Sequence, residues 1–522
     1  IIDMEQPGNA LIVESLLAYM PYFLHPEPKK AFVVGYGGGI TTRALTHTDV
    51  ESIRVVELEP AVVDAGHSIK NGPALALRDP RVKLEFNDAR NSLLIENQRY
   101  DIIAAQASHP WLAGASNVFT QEFFEIVKSR LNEGGYYSQW VNLFRMDVTT
   151  LRAIFQAFIN TFPHVTSFAN TDSGDFMLLG SLSPIYFDYQ QIETRMQAEP
   201  IKQALAYHEV FQPRDLFWYY GLSQNELFTA ADNAIPNRDT NILSEVRLSG
   251  LANKLSDEQN PYPFLFKHFQ LDTASYFRNP EEYARHAYEL GLGFLEWENP
   301  SNTTKLIGQL TDVSKIRADS LQHKLLFWQH NFTQATQWFD DHNEFLDEVY
   351  VDQMQIYLER NEKEKARAIL EDIKAPDVKK NALSHWAYLT GDENVLKSIN
   401  APDNRWILSQ QLRNHKQETA NKLFNIMQTE KADGLLLRLL ARHYLETGEN
   451  EKANQVLKQL SALTENQVAI YLVLIEEALK LKNTTWTEEL LSSIRKLDSD
   501  NEALPSLQSR LEASKLSESS LK

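Results

Sequence analysis

At 522 residues the chain is too long for one ordinary hydrophobic core, and its 43% hydrophobic and 23% charged content is that of a soluble globular protein with two or more domains. A net charge of -19 argues against a nucleic-acid partner, because binding a phosphate backbone needs basic patches. The absence of cysteine excludes disulfides, thiolate metal sites and cysteine nucleophiles.

In chain order, Ala10 to Tyr19 reads as an amphipathic helix stopped by Pro21, and His25 to Lys30 as a linker. The longest apolar stretch, Ala10 to Leu24, interrupted by Glu14 and Ser15, falls short of the roughly 18 residues of a membrane span. Ala31 to Val34 is an apolar run of the kind that fills a buried parallel strand. Gly35, Gly37, Gly38 and Gly39 follow, a turn whose backbone can approach a ligand closely. Ile40 to His47 opens a helix facing that turn. Ile53 to Leu58 is a second strand with Glu57 at its C-terminal end, where an acid can accept from both ribose hydroxyls. A tight turn beside a solvated glutamate is the plainer alternative.

Ala61 to Ile69 is a helix, and Val82 to Phe86 a third strand ending at Asn87, Asp88 and Ala89. Tyr100 to Ala105 is a fourth strand, ending at Gln106-Ala107-Ser108-His109-Pro110-Trp111. Gln121 to Leu131 reads as a helix closed by Gly134-Gly135, and Tyr136 to Val141 as a fifth strand. Asp147 to Thr161 adds a helix, and His164 to Phe168 with Phe176 to Ser181 a closing antiparallel hairpin. The alternation implies an α/β sheet covered by helices on both faces. The glycine turn, Glu57, Asp88 and Gln106 to Trp111 all fall on its C-terminal strand edge, where such sheets bind ligands.

Pro184 to Lys254 is mixed, and from Pro261 helical periods dominate. Ala441, Tyr444, Gly448, Ala453 and Leu457 have the offsets of a tetratricopeptide helix pair. Tyr357, Asn361, Ala366 and Leu370 repeat the last four, Ala335 with Phe339 gives a fainter copy, and Leu396 marks a further position. Spacings of roughly 30 residues fit one helical hairpin per repeat in an α-solenoid, with a non-repeating bundle as the alternative. Solenoids bind other chains on a concave face, so a protein partner is one expectation and a structural role the other. Around His323 and His330 the sequence places no acid or histidine at a ligand-like spacing, and no metal is assigned.

The segments HPEPKKAFVVGYGGG, VVELEP, DPRVKLEFNDAR, YDIIAAQASHPWLAGASNVFTQEFFEIVKSRLNEGGYYSQW and IPNRDTNILSE resemble the spermidine synthase (polyamine aminopropyltransferase) family, in the version fused to bacterial membrane domains. The resemblance covers roughly residues 1 to 250 and implies a class I methyltransferase-like Rossmann sheet. It implies a ligand of the S-adenosylmethionine type, carboxylated or decarboxylated. Gly35, Gly37 and Gly39 would line its methionine and ribose part, Glu57 would hold the ribose hydroxyls, and Asp88 with Ala89 would read the adenine edge. Asp88 as a plain helix cap is the alternative.

The acceptor side departs from the family. Gln106 and His109 stand where the family places aspartates, in a segment like DSxDP, to deprotonate and bind the amine. Gln106 is no base, which leaves His109, an imidazole, as the nearby candidate base. Gly38 replaces an acid of the glycine turn, and Val13-Glu14-Ser15 stands where the family offers Tyr-His-Glu. Trp111 reads either as a wall against which a ligand stacks or as a plug of the loop. Gln139 and Trp140 read as packing residues, and Asp239 as a brace.

The chain is thus expected to comprise an N-terminal helix and linker (1-30), a spermidine synthase-like Rossmann domain (31-254) and a tetratricopeptide-like α-helical solenoid (261-522). Its function is expected to be a spermidine synthase-like transfer from S-adenosylmethionine or its decarboxylated form, with the usual catalytic acids replaced; a methyltransferase acting on a protein or small acceptor, or a non-catalytic nucleoside-binding scaffold, are the alternatives. Donor supply suggests the cytoplasm. The start at Ile1, with no signal-peptide pattern, suggests a piece of a longer protein, and the resemblance to membrane-fused relatives implies a tether to the inner membrane by an upstream segment.

Overall fold

The computed structural model describes residues 12–67, 73–106, 110, 115–144, 146–170, 173–248, 259–297, 299–390 and short helical stretches up to 512. Seven strands form one sheet: β1 (Lys30–Val34), β2 (Ser52–Glu57), β3 (Val82–Phe86), β4 (Tyr100–Ala105), β5 (Leu131–Asn142), β6 (His164–Asn170) and β7 (Asp175–Ser181). Their order is β3-β2-β1-β4-β5-β7-β6. The first five run parallel, and β7 lies antiparallel between β5 and β6. This is a Rossmann-like, methyltransferase-type sheet, closed by the hairpin expected of its last two strands.

The apolar runs of β1 and β4 fill both faces. Ala31, Val33, Ile102 and Ala104 belong to one core, with α1 (Ile12–Leu24) and α2 (Ile40–Thr46). Phe32, Val34, Ile103 and Ala105 belong to the other, with α4 (Ala89–Ile95), α5 (Gln121–Ser129) and α6 (Val148–Thr161), the helix α3 (Pro60–His67) lying between α2 and α4 in the chain. Successive strand residues point to opposite faces, so a strand covered on both sides must be apolar throughout.

Three boundaries differ from the sequence reading. The first helix does not stop at Pro21 but runs through it to Leu24, every residue buried. A proline inside a helix leaves the carbonyl four residues back without its amide. Here that carbonyl, of Leu17, accepts from the Ser138 hydroxyl at 2.6 Å. The helix α5 ends at Ser129, and β5 begins at Leu131 rather than Tyr136. Its register jumps, with Leu131 opposite Tyr100 and Tyr136 opposite Ile102. Gly135 lies in that irregularity, where a side-chain carbon would sit 3.1 Å from the Tyr100 carbonyl oxygen.

The chain forms two compact units, Ile1–Val349 and Tyr350–Lys522. In the first, the helix Pro280–Glu296 buries Tyr283, Ala287 and Leu290 in the core that also holds Phe187 and Phe217. Helical hairpins recur with one turn geometry. His330, Asn361 and Gly448 take φ of 56°, 60° and 77°. The next amide in each case reaches back, Asn331 to the Leu326 carbonyl at 2.9 Å, Glu362 to Tyr357 at 2.8 Å and Glu449 to Tyr444 at 2.7 Å. This left-handed cap ends one helix and lets the next fold back. Shortly after each turn Ala335, Ala366 and Ala453 are fully buried. Leu396 and Leu457 lie outside the described residues. Among the described residues no helix is long and apolar enough to cross a membrane, and no cluster of potential metal ligands occurs.

Candidate functional site

The turn after β1 is built on left-handed backbone, with φ of 81° at Gly35, 52° at Gly37 and 79° at Gly39. The amide of Gly35 donates to the Val56 carbonyl at 2.8 Å, and that of Gly39 to the Tyr36 carbonyl at 2.8 Å. Glu57, buried at the end of β2, holds this turn from below. Its Oε2 accepts from the amides of Tyr36 at 2.7 Å and Gly37 at 3.4 Å, and its Oε1 from the amide of Glu59 at 3.0 Å. A carboxylate offers about four acceptor positions. The open one on Oε1 and the long bond from Gly37 are where a pair of vicinal hydroxyls can enter.

Asp88 caps α4, its Oδ1 accepting from the amides of Arg90 at 2.8 Å and Asn91 at 3.2 Å. Both bonds fall on one oxygen, so Oδ2 stays available for an amino group. The amide of Asn87 donates to the Glu57 carbonyl at 3.0 Å, which ties the two strand ends together. Leu58 and Phe86, beside these acids, are 64% and 52% exposed. Large apolar side chains left open at a polar rim suit the faces of a planar base. Sequence reasoning passed over them because an apolar residue ending a strand looks like core.

The end of β4 meets α1. Gln106 donates its Nε2 to Oε2 of Glu14, while its Oε1 is buried without a hydrogen-bond partner. Gln106 also lies against the glycine turn, since a side-chain carbon on Gly37 would sit 3.3 Å from its Nε2. Burial, reinforced by the nearby charge of Asp175, pushes the Glu14 carboxyl up to about 8, and the Gln106 bond only partly offsets this. Asp175, at the start of β7, is itself raised by burial; it accepts from Trp140 Nε1 at 2.9 Å and Ser173 Oγ at 2.6 Å. Glu14 and Asp175 are functional candidates that sequence reasoning missed. The available signal was an acid interrupting an otherwise apolar helix.

The structure brings Gly35, Gly37, Gly39, Glu57, Asp88, Ala89 and Gln106 to one edge of the sheet. His109 and Trp111 lie outside the described residues. Gln139 is fully buried and bonds to the Trp140 carbonyl at 2.8 Å, a packing role. Asp239 braces the domain. It pairs with Arg90 through both oxygens and accepts from Thr120 Oγ1 at 2.7 Å.

Residues 10–170 match the model of the spermine/spermidine synthase domain family. The chain is similar to the polyamine aminopropyltransferase of Thermotoga maritima, 28% identical over 138 residues, or 26% of this chain and 47% of that protein. It is 30% identical over 156 residues to spermidine synthase 1 of Datura stramonium, covering 28% of this chain and 50% of that one. The chain thus spans about half the length of the curated relatives it matches. Among solved structures, spermidine synthase from Thermotoga maritima aligns with a TM-score of 0.35 at 20% identity, covering 43% of this chain and 75% of that one. Human methyltransferase-like protein 13 in complex with SAH aligns with a TM-score of 0.30 at 19% identity, covering 38% and 90%. The N-terminal part of the chain is a spermidine synthase-like domain.

Proposed function

We propose that the N-terminal unit is a transferase that binds S-adenosylmethionine or its decarboxylated form and passes a carbon group from the sulfonium to a nucleophilic acceptor. One observation carries this reading: the glycine turn, Glu57 and Asp88 sit at the ends of the adjacent parallel strands β1, β2 and β3. They present close backbone, a ribose acceptor and an adenine acceptor in the order a nucleoside needs. The residues present fit the ligand, through the open position on Glu57 Oε1, the free Oδ2 of Asp88 and the apolar faces of Leu58 and Phe86. The bound sulfonium would supply an activated carbon. The chain's task is then to hold an acceptor in line with it and to take up a proton, proximity contributing much of the rate.

Aminopropyl transfer is the finer reading, supported by the family match. Methyl transfer needs the same donor pocket and is favoured by the amide of Gln106, where an aminopropyl enzyme of the resembled family has an acid. His109 and Trp111 belong to the proposed acceptor side. The helical hairpins from His330 onward support a tetratricopeptide-like region able to present a protein partner, and a membrane tether upstream is part of the same proposal.

Calorimetric titration with the two donors tests the function. Binding of either in the micromolar range is the expected result, and binding of neither sinks the transferase reading. A preference for the carboxylated donor assigns methyl transfer, because an aminopropyl enzyme must exclude that carboxylate.

A further inference from the structure

The end of β4 places an amide, which cannot take up a proton, beside the glycine turn. That amide is joined to a buried carboxyl from another element. We propose that Glu14 is the proton acceptor of the acceptor half-site, delivered from α1 and held at the glycine turn by Gln106. The inference rests on the transferase reading above.

Geometry carries it. Glu14 is only 7% exposed on a helix buried on all sides. A bare carboxyl in such a place is costly unless something pairs with it. Its bond to Gln106 supplies one partner, and the orphaned Oε1 of Gln106 supplies a second polar atom wanting a donor. An alkylammonium has three N–H groups in a tetrahedral array, so one nitrogen can give to Glu14 and to Gln106 Oε1 together. A buried carbonyl oxygen left unpaired is destabilising, and such a ligand would give it a donor. Contact between Gln106 and Gly37 puts the pair beside the turn that would hold the donor.

The charged groups around α1 leave this role to Glu14. Asp175 faces it from β7 and adds attraction for a cation. Further along the helix, His47 accepts or donates at Tyr19 Oη, 2.8 Å away, and Arg43 acts on that same pair. Arg195 lies over the Tyr22 ring and binds the His25 carbonyl at 2.6 Å. His25 pairs with Asp101 at the opposite end of the strands. In the reaction the acceptor nitrogen loses one proton to the Glu14 carboxylate. Its lone pair forms the new N–C bond, the C–S bond breaks, and the C–S electron pair stays on a neutral thioether. No further reactant is required.

With the carboxyl of the empty site pushed up to about 8, it holds its proton at pH 7. A bound cation displaces that proton. Putrescine is therefore titrated calorimetrically into the donor-free protein at pH 7, in two buffers of different ionisation enthalpy. The expected result is release of most of one proton per putrescine bound. In Glu14→Gln this release is abolished, with affinity down at least tenfold, and in Glu14→Asp it is partly restored. Failure of the wild type to bind putrescine, or equal proton release from Glu14→Gln, overturns the proposal. A parallel donor titration keeps the two readings apart. Unchanged donor affinity in Glu14→Gln shows an intact fold, and no donor binding in the wild type removes the transferase function whatever Glu14 does.

Discussion

The side-chain amide of Gln106 donates to the carboxyl group of Glu14, 92 residues earlier in the chain. This bond joins the C-terminal edge of the sheet to the first helix and places an acid beside the glycine turn. Burial of that carboxyl has a thermodynamic signature. An acid whose folded pKa lies above its ordinary value of 4.5 binds more protons in the folded state, so the stability it contributes is complete below that value and is lost as pH rises towards about 8. Urea melts of wild type and Glu14→Gln should therefore diverge, the variant becoming the more stable by a few kcal/mol as pH rises from 5 to 8. A pH-independent difference would show that Glu14 is ionised throughout.

Glu57 serves both the turn and the proposed ligand. Removing its three backbone bonds with Glu57→Ala should lower donor affinity about a hundredfold, charge-assisted bonds being worth roughly 1.5–3 kcal/mol. Calorimetry measures the affinity, and a melting temperature lowered by a few degrees reports the loosened turn. An unchanged donor affinity would take Glu57 out of the site.

Gly37 combines a φ of 52° with close contact to Gln106. Gly37→Ala should cost about 1–2 kcal/mol from the left-handed backbone alone. Pressing on Gln106, it should also disturb the Glu14 contact, read as weaker putrescine binding than in Gly39→Ala at matched stability.

Asp239 clamps residues distant in sequence. Asp239→Ala frees Arg90 and Thr120 and should cost about 1–2 kcal/mol, reduced by the pair's partial exposure. The bond from Arg90 holds the Asp239 carboxyl below its usual value. This stability is therefore present above the ordinary carboxylate range and is lost as pH falls through the folded value. Melts in acid should bring wild type and variant together.

Pro21 and Ser138 form a testable couple. Ser138→Ala strands the Leu17 carbonyl and should cost about 1–3 kcal/mol. Adding Pro21→Ala restores an amide donor to that carbonyl, so the double variant should lose less than the single change at Ser138. Strict additivity in a double-mutant cycle would show the two act independently.

Much of this protein is written locally. The runs Ala31 to Val34 and Tyr100 to Ala105 can be satisfied only in a strand covered on both faces, and glycines at Gly35, Gly37 and Gly39 supply left-handed backbone wherever they occur. Glu57 and Asp88, ending their strands, follow from the same alternation, as do the helix–turn–helix offsets at Asn361 and Gly448. What the sequence could not carry depends on contacts between distant segments. Pro21 looks like a stop until Ser138, from the middle of the sheet, takes the carbonyl it leaves open. Glu14 looks like an interruption in an apolar helix until folding buries it against Gln106 and near Asp175, and that burial, reinforced by the Asp175 charge, raises its proton affinity. The proposed donor half thus lies in consecutive strand ends, which a linear reading recovers. The proposed acceptor half draws on α1, β4 and β7, whose proximity exists only once the sheet has formed.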